Sequence, residues 1–156
     1  MFVQVTSSQD IIKVDPLQIE TIVACVLKEK QVHCDEVSIH FASKEEITDM
    51  HGEFFDDPTP TDCITFPIDD SDEEEFYKVL GEVFVCPEVA LLYANEHHLV
   101  FEEELTLYIV HGLLHLLGFD DIEEEDRIEM RKQEAYLLHL LNSQDLILKK
   151  SESLNC

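Results

Sequence analysis

Two histidines and an aspartate stand at a spacing that would let them share one metal ion. In the stretch EEELTLYIVHGLLHLLGFDD, residues 102–121, His111 and His115 are four positions apart. On a helix that spacing is about 40° beyond a full turn, so both imidazoles leave one face, one above the other. Gly118 suits a left-handed stop, and the chain then turns back to bring Asp121 after it. Neutral imidazole and carboxylate both bind zinc, and three protein ligands leave a coordination position open for water. The histidine pair alone equally suits a hydrogen-bonded core; the glycine turn and the third donor are what favour a metal site.

The element that carries the pair must itself be held. Leu105, Leu107, Ile109, Val110, Leu113, Leu114, Leu116 and Leu117 point in every direction round the helix, so it is expected to be buried on nearly all sides. The rest of the chain reads as its packing partners. Residues 2–5 and 37–41 alternate as strands, and Asp15-Pro16 opens a helix running to about residue 30, with aspartate as cap and proline at the first helical position. Ser43 with Glu46 is a capping-box pattern for a helix through about residue 54, which Asp57-Pro58-Thr59-Pro60 then breaks. Strands are expected over 61–66 and 79–85, separated by the acidic run 69–75, and helices over 87–97 and 122–141. Interleaved strands and helices early, and helices late, predict helices stacked on a sheet of about four strands.

At 156 residues the chain fits one domain, expected over 1–150, with 151–156 as a frayed tail. No apolar run is long and charge-free enough to span a bilayer, and the N-terminus lacks a secretory pattern. Cys25, Cys34, Cys63, Cys86 and Cys156 are odd in number and form no CxxC, which suits a reducing compartment. A cytoplasmic location is expected. The net charge of −25, from 35 acidic and 10 basic residues, leaves no visible basic stripe of the kind that grips phosphates. Such a potential attracts divalent cations and repels polyanions. Cys63 and Cys86 read as small apolar core residues, and His33, His40, His51, His97, His98 and His139 show no ligand pattern.

HGLLHLLGFDD (111–121) and PTDCITFP (60–67), with GEVFVC (81–86) between them, resemble motifs of the YbeY family of bacterial endoribonucleases. Typical members read HGxLHLxGYDH, PTDVLSFP and GDIVIC in the same order and at comparable separation. The resemblance spans roughly residues 35–135. It implies an α+β fold, a four-stranded mixed sheet with about five helices and a buried, metalloprotease-like histidine helix. It also implies a metal-dependent, single-strand-specific endoribonuclease, with one divalent ion, zinc for preference. The implied role is rRNA maturation at the 3′ end of 16S rRNA and ribosome quality control. Its partners would be an rRNA precursor, the small ribosomal subunit and assembly factors, with no membrane and a monomeric chain. Position by position, His111, His115 and Asp121 take the three metal-ligand and catalytic places.

Two positions depart from the family pattern. Most members carry histidine where Asp121 stands, with Asp120 at the family's own aspartate. Members also usually carry an arginine where Phe55 stands, and phenylalanine has no fork to offer a phosphate. A weakly active or non-catalytic ribosome assembly factor is therefore the alternative. The third reading is a metalloprotease, because HxxxHxxGxxD shares part of the zinc-protease spacing. Such enzymes use HExxH with glutamate as base, and that place is Gly112 here. For phosphodiester hydrolysis the base is open: Asp120 and Glu82 are the acidic residues nearest the motifs, and Thr61 and Asp62 stand where a cleft wall is expected.

Overall fold

The computed structural model describes residues 1–68 and 77–149. The first hydrophobic unit is a strand, a helix and a second strand. Strand β1 (Phe2–Ser7) pairs in parallel with β2 (Glu36–Phe41), from Phe2 opposite Glu36 to Ser7 opposite Phe41. Between them runs helix α1 (Pro16–Glu29), opened by Asp15, whose side chain accepts from the Leu17 N–H at 3.1 Å. Ile19, Ile22, Val23, Val26 and Leu27 form its buried stripe. Helix α2 (Lys44–Phe55) begins at Ser43, whose hydroxyl accepts from the Glu46 N–H at 3.1 Å. It ends on Asp56 in the left-handed region (φ 55°), just before the proline pair.

Strand β3 (Cys63–Pro67) lies antiparallel to β4 (Val79–Val85), and β4 lies parallel to β2, giving a mixed sheet in the order β1-β2-β4-β3. The β3 ladder begins at Cys63 rather than at Thr61 because its partner runs out: Val85 faces Cys63, and Pro87 opens helix α3 (Pro87–His97) two residues later. Cys86 is the cap residue of α3 and is fully buried, as expected of a core cysteine. Helices α4 (Phe101–Leu116) and α5 (Glu124–Ser143) complete the chain. Among the described residues the expected α+β arrangement of four strands and five helices is what forms. The acidic run 69–75 and the tail 151–156 lie outside the described residues.

Helix α4 is the centre of the core. Leu105, Ile109, Val110, Leu113 and Leu114 are wholly inaccessible to solvent, packed with Val83 and Val85 of the sheet and with Met130, Leu137 and Leu141 of α5. At about 25 cal/mol per Å² of buried apolar area, each such side chain contributes roughly 1.5–3 kcal/mol. Contact with the sheet is possible because of Gly112. A Cβ there would stand 2.4 Å from Val83 Cγ1 and 2.9 Å from Cys63 Sγ, so only glycine lets the helix backbone lie directly on β3 and β4. The residue beside His111 thus fixes how deep the histidines sit.

Candidate metal centre

Helix α4 presents His111 and His115 one turn apart, as the spacing requires. Their Nε2 atoms face each other at 3.0 Å. The helix ends with Leu117 as its cap, Gly118 takes φ +100°, and the following turn returns Asp121 to the pair. Its Oδ2 stands 3.5 Å from His111 Nε2 and 3.4 Å from His115 Nε2. Three donors about 2.0–2.1 Å from one tetrahedral ion would lie about 3.3–3.4 Å from one another, so this spacing fits a single small cation. No other group of three or more histidine, cysteine or acidic side chains among the described residues converges in this way.

The imidazole of His111 is oriented from the far side. Its Nδ1 donates to Glu134 Oε2 at 2.6 Å, which leaves the Nε2 lone pair aimed at the centre. Glu134 comes from α5 and is itself buried, on the stripe shared with Met130, Leu137 and Leu141. A carboxylate on that apolar stripe is a sequence signal of a buried, partnered acid, though not of which residue it meets. Burial pulls the His111 pKa down, but the hydrogen bond and charge of Glu134, with the charges of Asp62 and Asp121, outweigh it and raise the pKa overall. This corner of the molecule is built to hold positive charge.

His111 and Asp121 line a cleft of about 580 Å³ whose walls also include Asp62, Tyr108, Arg127 and Arg131. Asp62 was expected at the wall and is there. The two acidic candidates for a base are not. Asp120 uses its Oδ1 to accept from the backbone N–H groups of Asp121 and Ile122 at 2.7 and 3.3 Å, so it shapes the turn. Glu82 alternates with Val83, which faces α4, and therefore lies on the opposite face of the sheet, where it meets His40 Nε2 at 3.1 Å. Phe55 is exposed at the end of α2 beside His51, 5.7 Å between ring centroids, and is no part of the cleft wall. Cys63 is core: burial, then the charges of Asp62 and Asp121, push its thiol far up and keep it protonated.

The cleft also contains what the linear sequence did not display. Arg127 and Arg131, one turn apart on α5, both line it, although no basic stripe is visible along the chain. Glu104 and Tyr108, one turn apart on α4, line it as well. Burial raises the Glu104 pKa, against a hydrogen bond from Tyr108 that lowers it, and burial beside Glu104 raises the Tyr108 phenol far above its ordinary value.

The comparisons with known proteins agree with this architecture. A family model described as Endoribonuclease YbeY matches residues 4–142. The chain is 43% identical over 149 residues to the Endoribonuclease YbeY of Protochlamydia amoebophila (strain UWE25), covering 96% of this chain and 99% of that one. It is 35% identical over 145 residues to the protein of the same name from Chlamydia muridarum, covering 92% and 90%. The solution structure of TM1509 from Thermotoga maritima superposes with a TM-score of 0.60 over 97% of this chain and 99% of that one, at 22% identity, which speaks for the fold. With the family model spanning nearly the whole chain and a relative this similar end to end, the protein belongs to the Endoribonuclease YbeY family.

Proposed function

We propose that this protein is a metal-dependent, single-strand-specific endoribonuclease whose ion, zinc for preference, is held by His111, His115 and Asp121. The observation that carries this reading is the triangle of 3.0, 3.4 and 3.5 Å formed by the three donor atoms, two of whose residues, His111 and Asp121, line an open cleft. The substrate class is an rRNA precursor, matured at the 3′ end of 16S rRNA in the cytoplasm in company with the small ribosomal subunit. Residues 1–150 would act as one catalytic domain.

His111, His115 and Asp121 would hold the divalent ion, which when bound would supply Lewis-acid stabilisation of phosphate charge and a lowered pKa for an attacking water. The chain's own residues do the rest. Glu134 holds the His111 ring and its tautomer, and Asp121 adds an anionic donor on the solvent side. Asp62 is the cleft carboxylate suited to take a proton from the attacking water, since Glu134 is occupied by His111 and burial favours the neutral form of Glu104. A protease reading lacks its base: the place of the HExxH glutamate is Gly112, and a side chain there would run into Val83.

Cleavage of a single-stranded RNA carrying the 16S 3′ region tests the proposal. Purified wild type is expected to cut it and His115→Ala to be inactive while remaining folded. Equal cleavage by both would place the activity elsewhere, and no cleavage by either would leave a non-catalytic assembly factor.

A further inference from the structure

The chain contains two arginines, Arg127 and Arg131, and both line the cleft that His111 and Asp121 also line. They are four apart on α5, so their side chains leave one helical face, and Glu134 follows on that face one turn further, against His111. The buried Met130 between them anchors the same stretch of helix in the core. In a protein with 35 acidic residues, paired arginines would be the ordinary outcome. Among the described residues, neither guanidinium makes an ion pair; the pairs that form use lysines or histidines.

Arg127 is also pre-positioned. Its Nη1 donates to the Ile122 carbonyl at 3.0 Å, which ties the guanidinium to the turn that delivers Asp121. The remaining N–H groups of that fork, and the whole fork of Arg131, are free for a ligand among the described residues. The cleft therefore offers two exposed, unpaired forks from one helix face and, among its other lining residues, His111 and Asp121. Guanidinium forks match phosphate oxygens two at a time, and a helical pair spaced one turn apart spans a distance comparable to adjacent phosphates of a nucleic acid strand.

We infer that Arg127 and Arg131 bind the backbone phosphates of the RNA strand beside the position to be cut, and so set its register over His111, His115 and Asp121. This rests on the endoribonuclease reading above. Elsewhere the acidic surface repels a polyanion, so the two arginines supply most of the local attraction. They position the strand and take no part in bond breaking. The inference therefore concerns binding and its salt dependence, with turnover of bound RNA little affected.

The experiment is a fluorescence-anisotropy titration of metal-loaded protein with a labelled single-stranded 2′-O-methyl oligonucleotide, confirmed intact afterwards, over about 50–200 mM salt. Arg131→Ala is expected to weaken binding about tenfold and to flatten the log–log salt slope by about 0.7, the share of one phosphate contact on a single strand. Arg127→Ala with Arg131→Ala should flatten it by about 1.4, while metal content and the circular dichroism spectrum stay as in wild type. Lysine at both positions should keep the slope and lose part of the affinity, because a point charge lacks the fork. Lys132→Ala, an exposed residue paired with Glu129, should change neither. If the double alanine variant disturbs folding, Arg131→Ala decides alone, since that guanidinium makes no hydrogen bond among the described residues. Unchanged affinity and slope in Arg131→Ala and in a folded double variant would overturn the inference and leave His115-dependent cleavage standing. A wild type that neither binds nor cuts RNA would overturn both.

Discussion

His111 Nδ1 lies 2.6 Å from Glu134 Oε2, a bond between two helices that joins the histidine face of α4 to the buried stripe of α5. Glu134 gives the imidazole its orientation, and its own burial is tolerable because that bond satisfies it. Glu134→Ala should therefore weaken metal affinity about 10–100-fold with His111, His115 and Asp121 all intact. Glu134→Gln, which keeps an acceptor oxygen, should fall between that variant and wild type. Chelator competition on the purified variants measures both.

Gly112 sets the depth of α4 on the sheet. Gly112→Ala should destabilise the fold by about 1–3 kcal/mol, the usual cost of overpacking, because its Cβ has no room beside Val83 and Cys63. A fall of roughly 2–4 °C in melting temperature per kcal/mol follows for a chain of this size. Adding Val83→Ala should recover part of the loss, since the nearest obstructing atom is a Val83 methyl. Additive losses in the double variant would mean that the obstruction lies elsewhere.

The separation of what was readable from what was not follows the reach of local spacing. The histidine face, the glycine stop and the return of Asp121 belong to one continuous stretch, so periodicity and turn chemistry disclosed them. The caps at Asp15 and Ser43 and the strand over Val79–Val85 were readable for the same reason. Glu134 was not, because its partner is 23 residues away and the meeting depends on how α5 crosses α4. The same crossing gathers Arg127 and Arg131 over the cleft, although along the sequence they sit among acidic residues. Glu82 was misleading: proximity to a motif in sequence says nothing about which face of a strand it takes, and the pleat sends it away from the cleft.

Asp62 faces the cleft without the histidine partner that occupies Glu134. Asp62→Asn should lower the rate of RNA cleavage by about 10²–10⁴-fold, the range for a lost general base, with metal content and oligonucleotide affinity close to wild type. Single-turnover kinetics beside elemental analysis separates these quantities. A variant that loses its metal in parallel with its activity would make Asp62 a residue of the metal site.

Glu104 is a buried carboxyl whose pKa is raised, so the folded state holds its proton more tightly than the unfolded chain does. Stability then decreases as pH rises from the ordinary glutamate range through the folded-state pKa, and the cost is complete above it. Glu104→Gln, which is neutral throughout, should be more stable than wild type at pH 7. The gap should close as the pH falls toward about 4.3, the ordinary glutamate value. Urea midpoints of both proteins across that range check it. A gap of constant size at all pH values would show that ionisation of Glu104 is not its cause.

The most direct test of the central claim is the metal content of the protein, by elemental analysis after purification without added metal, beside His111→Ala and Asp121→Ala. The expected result is about one equivalent of a divalent ion per chain in wild type, lost from both variants while their circular dichroism spectra stay unchanged. Wild-type protein that contains no metal and takes up none on titration with zinc would contradict the account.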